Sequence, residues 1–234
     1  MVRPVNMSVS SSSTPALPGI RDAILATLRQ NRWACLGLNV AVIGLVMSYY
    51  RWPAMSELWE AVGHVKTKWS YAFSAISTMV AAVVLPALVQ RAMGVEPGPG
   101  QARRLAWSAV YWAYRGMEID WFYRMQGELF GTGTDWQTVG IKLAVDQFIY
   151  SAIWAVPSYL IFVRWVEHRG LKQALATMDR RFWTHTYWSV LFTNWLVWLP
   201  AVSLVYSLPP ALQFPLFSLI LSFYILLITV LVKA

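Results

Sequence analysis

The chain has 234 residues, of which 57% are hydrophobic and only 13% are charged, and its formal net charge is +8. Soluble domains are about 45–50% apolar and about 25% charged, so this composition is typical of a membrane protein. The basic residues lie in short segments between apolar runs, which disfavours a nucleic-acid-binding protein. Cys35 is the only cysteine, which excludes an intrachain disulfide.

Residues 1–32 form a polar head that is rich in serine and proline near its start. Segments of this composition cannot bury enough apolar surface to fold, so we expect disorder. The head is also nearly free of acidic residues, as transit peptides are. A targeting segment is therefore the alternative interpretation of residues 1–32.

Six hydrophobic segments follow, and each approaches the about 20 residues that a membrane-spanning helix needs. They are Trp33–Tyr50, Trp69–Gln90, Trp107–Phe130, Val139–Val166, Trp183–Tyr206 and Leu212–Val232. The last two are joined only by residues 207–211, in which Pro209 and Pro210 break the helix, so we expect them to form a tight hairpin. Tryptophans at or near their ends are typical of anchors at the membrane–water interface. The sequence thus predicts an all-α fold, a polytopic transmembrane bundle of about six membrane-spanning helices. Residues 33–57 would hold an additional N-terminal helix and residues 58–234 the core.

The charges of the loops test this number of spans. With the N-terminus inside, the inner segments hold twelve Lys and Arg residues and the outer loops hold three, Arg51, Lys66 and Lys68. This bias follows the positive-inside rule and favours six passes with both termini inside. If the third segment lay flat at the interface instead of crossing, the later segments would change sides.

The third segment carries the densest group of charges in the chain. Arg115 and Glu118 share one helix face, and Asp120, Arg124 and Glu128 follow each other at intervals of four on another. Alternating signs indicate mutual neutralisation, which keeps buried charges tolerable. The group is either the wall of a polar pore or a structural ion-pair network that holds helices together.

The fourth segment carries Lys142, Asp146 and Gln147 within an otherwise apolar run. A charge at the bilayer centre costs about 2.5–3.5 kcal/mol on insertion scales, so it needs a partner or a wet cavity. The spacing of four predicts that Lys142 and Asp146 pair on one face. The alternative is that Lys142, near the helix end, extends to the interface. Asp146 and Gln147 are too deep for that.

Other polar and proline positions give weaker signals. Pro157 and Pro200 lie within apolar segments, where each frees a backbone carbonyl and predicts a kink. Asn194 is positioned to donate a hydrogen bond across a helix interface. The histidines have no metal-ligand spacing and no catalytic motif is present, so we expect no metal, no cofactor and no enzymatic activity.

Several positions recur in the order and spacing of a known family. They are Leu58, Trp59, Gln90, Gly116, Phe122, Tyr123, Lys142, Asp146, Gln147, Pro157, Asn194, Trp198, Pro200 and Pro210. The most specific element is a lysine followed four residues later by aspartate-glutamine and then by a proline-bearing helix. On these residues the chain, from about Leu58 onward, resembles the family of the 22-kilodalton peroxisomal membrane protein and the mitochondrial inner-membrane protein Mpv-seventeen.

The chain also departs from that family at several polar positions. Leu85 and Pro86 replace a glycine-aspartate pair, Met117 replaces a proline, and Phe214 lies where the family has an arginine. The helix before residue 58 lies outside the usual core. This resemblance therefore identifies a divergent member with an extra N-terminal helix.

The resemblance implies a multi-pass protein of a bacterial inner membrane or an organellar membrane, mitochondrial inner or peroxisomal, with channel-like activity. The first hypothesis is a channel for small solutes or ions, lined by the third and fourth segments with Asn194. The second is a non-conducting structural or assembly protein whose intramembrane charges only hold helices together. The expected partner is the lipid bilayer, with no nucleic acid, and a homo-oligomer is left open.

Overall fold

Helices form the regular structure of the chain in the computed structural model, which describes residues 36, 37 and 39–231. They are α1 over residues 39–51, α2 Pro53–Ala92, α3 Gln101–Phe130, α4 Trp136–His168, α5 Leu171–Ala176, α6 Phe182–Tyr206 and α7 Pro210–Leu231. The all-α prediction is confirmed for these residues, which contain no strand. The polar head at residues 1–32, and Trp33 and Val232 at the outer ends of two predicted segments, lie outside the described residues.

Three helices of the described part, α2, α4 and α6, are long and apolar enough to cross a membrane. In α7 the apolar stretch is shorter, Pro210–Leu226. Although α3 has 30 residues, it carries Arg115, Glu118, Asp120 and Arg124. Length and composition therefore support three membrane-spanning helices.

The end of α6 coincides with the predicted boundary, but α2 begins much earlier than the predicted segment Trp69–Gln90. Lys66, predicted to lie in an outer loop, is instead buried within α2 at 5% exposure. That prediction is wrong because Lys66 has a buried partner on another helix, which the local sequence does not reveal. A kink at Ser70, whose φ is 48°, bends α2 just after Lys66.

Two stretches of π-helix precede prolines. Val80–Val84 lies shortly before Pro86, and Val145–Ala155 shortly before Pro157. Proline lacks an N–H and clashes with the carbonyl four residues earlier in an α-helix. In a π-helix each hydrogen bond closes over five residues, so the chain is locally wider where the ring enters. Pro200, in contrast, lies inside the α-helical part of α6.

The helices pack around α7. Helix α2 packs along α3 and α7, whereas α4 packs against α6 and the short α5. Helices α6 and α7 form the predicted hairpin, and their side chains, including Val205, Leu216 and Ile220, supply much of the apolar core. At Gly116, α2 and α3 lie so close together that an added Cβ would overlap Thr78 Oγ1 and the carbonyl of Ser74. This architecture places the polar faces of α3 and α4 toward the interior.

Candidate functional site: a polar cavity between α3, α4, α6 and α7

Asp120 lies at the contact between α2 and α3 and is only 3% exposed. Its Oδ2 accepts hydrogen bonds of 2.8 Å from Lys66 Nζ and from Ser74 Oγ. Arg124, one turn later on α3, donates to both carboxylate oxygens at 3.2 Å and to Ser70 Oγ at 2.9 Å. The predicted Asp120–Arg124 pair is confirmed, and Asp120 is fully paired in this position.

Glu118 lies on another face of α3, toward α4. Arg115 Nη1 donates to its two oxygens at 2.8 and 3.0 Å, which confirms the predicted pair. Glu118 Oε1 also accepts hydrogen bonds from Tyr150 OH at 2.7 Å and from Trp154 Nε1 at 2.6 Å. Glu118 therefore connects α3 to α4 and compensates the charge of Arg115.

Asp146 lies in the π-helical part of α4 and is 5% exposed. Tyr206 OH of α6 donates to its Oδ2 at 2.7 Å, and Gln147 Nε2 donates to its Oδ1 at 2.8 Å. Gln126 of α3 donates in turn to the Tyr206 hydroxyl. This hydrogen-bond chain joins α3, α6 and α4 through neutral donors.

Lys142 is buried at 1% exposure, so its side chain does not extend to the surface. Its Nζ lies 5.7 Å from the centre of the Tyr206 ring. Among the described residues, no ion pair joins Lys142 to Asp146, and the predicted pair is wrong. Asp146 instead accepts hydrogen bonds from Tyr206 of α6 and from its neighbour Gln147.

A cavity of about 470 Å³ lies between α3, α4, α6 and α7. Four of the predicted polar residues line it, namely Arg115, Asp146, Gln147 and Asn194. The other four, Glu118, Asp120, Arg124 and Lys142, are absent from its wall. Aromatic side chains and small hydroxyl residues complete the lining. They include Tyr111, Trp112, Tyr123, Tyr150, Trp198, Ser151, Ser189 and Thr193.

Gln147 contributes an unusual feature to this wall. It is 1% exposed, and its buried Oε1 has no hydrogen-bond partner among the described residues. Buried polar atoms are nearly always paired in native proteins, so an unpaired acceptor points to a ligand, a water or a strained position. In this chain the acceptor belongs to a residue that faces the cavity.

The remaining predicted motif residues have packing roles. Gly116 allows α2 and α3 to meet, and the buried Tyr123 packs its ring edge-on against Tyr206 at 5.3 Å. The ring of Trp198 lies 5.3 Å from that of Phe217 on α7. Pro210 is the first residue of α7. Tyr123 and Trp198 also line the cavity, whereas Gly116 and Pro210 do not.

Sequence analysis missed Lys66, Gln126 and Tyr206. Each is a polar residue that reaches a partner on a helix far away in the chain, between 54 and 80 residues distant. Tyr206 is the last residue of its apolar helix, where a tyrosine is typical of an interfacial anchor, so no sequence signal singles it out. The spacing of residues along the sequence does not identify a hydrogen-bond partner on a distant helix.

Among the described residues, no group of three or more His, Cys, Asp and Glu side chains is arranged to hold a metal ion. Comparison of the chain with family models, with curated proteins and with solved structures finds no match. The arguments about its function therefore depend on the geometry of this cavity and on the sequence.

Proposed function

We propose that the chain is an integral membrane protein of about six membrane-spanning helices that provides a channel-like path for small solutes or ions. The observation that supports membrane insertion best is the inverted polarity of α4. Ile141, Phe148 and Ile153 are 49%, 52% and 71% exposed, whereas Lys142 and Asp146 are 1% and 5% exposed. A helix with apolar residues outside and ionisable residues inside suits a lipid surface.

The burial of charges on α3 supports the six-pass arrangement. Asp120 and Arg115 are 3% and 5% exposed and each has an oppositely charged partner within 3.2 Å. Charged residues in membrane-spanning segments face the bundle interior and pair in this way. In this proposal α1, α3 and α7 cross the bilayer together with α2, α4 and α6, and both termini share one side.

A labelling experiment tests the topology. In a Cys35→Ser background, Gly94→Cys places a thiol between α2 and α3, and Thr132→Cys places one between α3 and α4. If α3 crosses the membrane, an impermeant maleimide applied to sealed vesicles labels only one of the two. Labelling of both from the same side would mean that α3 does not cross.

The resemblance to the Mpv-seventeen and 22-kilodalton peroxisomal membrane protein family supports the assignment to a channel. We infer a divergent member with an extra N-terminal helix, resident in a bacterial inner membrane or an organellar membrane. The Lys142, Asp146, Gln147 element carries this resemblance, and two of these three residues line the cavity.

The polar lining of the cavity, with Arg115, Asp146, Gln147 and Asn194, is the structural argument for the channel proposal. Intramembrane ionisable residues that face a cavity mark ion and substrate pathways. The test is recording from purified protein in planar bilayers. Wild-type protein should conduct above the empty bilayer, and Asp146→Asn should change its ion selectivity.

Glu167→Gln is the matched control for this change. It also converts a carboxylate to an amide, but Glu167 is an exposed partner of Arg164 and is absent from the cavity wall. Unchanged selectivity in both variants would mean that Asp146 does not face the conducting path. Absence of conductance in the wild type would overturn the channel proposal.

A structural or assembly role is the second candidate, and a specific observation favours it. Asp120 and Glu118 each accept hydrogen bonds from two side chains of one other helix, and neither lines the cavity. These groups stabilise helix contacts without any passing solute. A folded, non-conducting wild-type protein would support this candidate.

A further inference from the structure

The charges on the residues of the cavity wall do not cancel each other. Only Arg115 and Asp146 are charged among its lining residues, and Arg115 is paired with Glu118 at 2.8 Å. The hydrogen bonds to Asp146 come from the neutral side chains of Tyr206 and Gln147. Within the described part of the chain, Asp146 has no cation at ion-pair distance. When Asp146 is ionised, the uncompensated charge on the wall is therefore negative.

Lys142 is the nearest candidate to neutralise Asp146 from the same helix. Its ammonium lies against the Tyr206 ring at 5.7 Å, and Lys142 does not belong to the cavity wall. A cation that enters the cavity would therefore approach Asp146 along a wall that contains no lysine.

The rest of the wall suits a cation that carries an apolar body. Tyr123, Tyr150 and Trp198 line the cavity, and aromatic ring faces attract organic cations. Beside Asp146, the unpaired Oε1 of Gln147 is an acceptor without a donor.

The size of the cavity narrows the class of ligand further. Sites for small molecules are typically about 300–1,000 Å³ and mostly apolar with a few placed polar groups, and the volume of about 470 Å³ lies in that range. A small inorganic cation would leave most of this aromatic wall uncovered. We propose that the cavity binds a small organic cation, an amine or quaternary ammonium on a compact apolar body, next to Asp146. This inference deepens the proposed channel function and depends on it for the physiological role of binding.

The test uses purified full-length protein in detergent. Benzyltrimethylammonium is the probe, and benzylsulfonate, of similar shape but opposite charge, is its counterpart. Binding is followed by quenching of tryptophan fluorescence and by calorimetry, since Trp112 and Trp198 line the cavity. We expect at least tenfold tighter binding of the cation. Equal binding of the two probes, or tighter binding of the anion, would overturn the proposal without any variant.

Asp146→Asn then tests the position of the cation. The substitution leaves one oxygen to accept from Tyr206, and Gln147 can rotate its amide so that Oε1 accepts from the new NH₂ group. Tyr206 and Gln147 each keep a hydrogen bond to residue 146, so we expect a folded protein with at least tenfold weaker binding of benzyltrimethylammonium. Glu167→Gln should bind as the wild type does. Unchanged affinity in a folded Asp146→Asn variant would contradict the site.

Measurements of binding and of conduction distinguish the binding-site proposal from the channel proposal. A protein that conducts but does not prefer the cation would overturn this inference and leave the channel intact. A protein that binds the cation through Asp146 but does not conduct would overturn the channel and leave the binding site.

Discussion

The hydroxyl of Tyr206 on α6 donates a hydrogen bond of 2.7 Å to Oδ2 of Asp146 on α4, 60 residues away in the chain. The same hydroxyl accepts from Gln126 on α3. One phenol thus satisfies a buried carboxylate and a buried amide and connects three helices.

Tyr206→Phe should destabilise the protein by about 1–3 kcal/mol, because it leaves a carboxylate oxygen and an amide N–H without a partner in a buried site. The free energy of unfolding is measured by SDS titration in mixed micelles. Tyr50→Phe is the control, since Tyr50 is 57% exposed and donates to the Ser207 carbonyl at the surface. Equal losses in the two variants would contradict a special role for Tyr206.

Lys66→Met should be destabilising because it removes one cation from the buried Asp120. Breaking a buried ion pair costs about 3–5 kcal/mol, and we expect the lower end because Arg124 remains paired with Asp120. The exposed Lys68→Met should change the free energy of unfolding little. Adding Asp120→Asn to Lys66→Met should recover part of the loss, and strict additivity of the two changes would argue against direct pairing.

Gly116→Ala should destabilise by about 1–3 kcal/mol, the usual cost of overpacking, because the new Cβ overlaps α2 at Thr78 and Ser74. Gly140→Ala in α4 provides the contrast. No atom lies within 4 Å of its added Cβ, so the better helix propensity of alanine should raise stability slightly. Thermal unfolding in detergent distinguishes the two variants. An unchanged unfolding temperature in Gly116→Ala would mean that α2 and α3 can move apart at little cost.

Asp135 caps α4 by accepting from the backbone N–H groups of Thr138 at 3.0 Å and Gln137 at 3.1 Å. The Thr138 N–H, above all, holds the pKa of Asp135 below its ordinary value of 3.8. A lowered pKa in the folded state means that the capping contribution is present above pH 3.8 and is lost as the pH falls through the lower folded value. The amide shift of Thr138 in an NMR titration should report this transition. Asp135→Asn, which retains an acceptor, should abolish it.

Sequence reasoning succeeded where the relationship is local. The pairs Arg115–Glu118 and Asp120–Arg124 lie three and four residues apart on one helix, and both form. The hairpin before Pro210 follows from backbone chemistry, since proline cannot continue a helix. Helix-surface geometry brings such residues within reach of each other before the fold is known.

Contacts between helices escaped the same reasoning. The spacing of Lys142 and Asp146 favours a pair, but Tyr206 from α6 supplies a closer partner for the carboxylate. Lys66 looked like a loop residue because its partner, Asp120, is 54 residues away. Periodicity shows which residues share a face. It does not show which face of another helix lies opposite.

The π-helical stretch Val145–Ala155 bears on how α4 would tolerate the loss of a residue. A π-turn contains one more residue than an α-turn, so a deletion there can be absorbed by a return to α geometry. In the α-helical α3, a deletion rotates every later side chain by about 100° relative to the earlier ones. Deleting the exposed Ile153 should therefore leave more folded protein than deleting the exposed Trp121. Length variation in such a protein would concentrate in its widened turns.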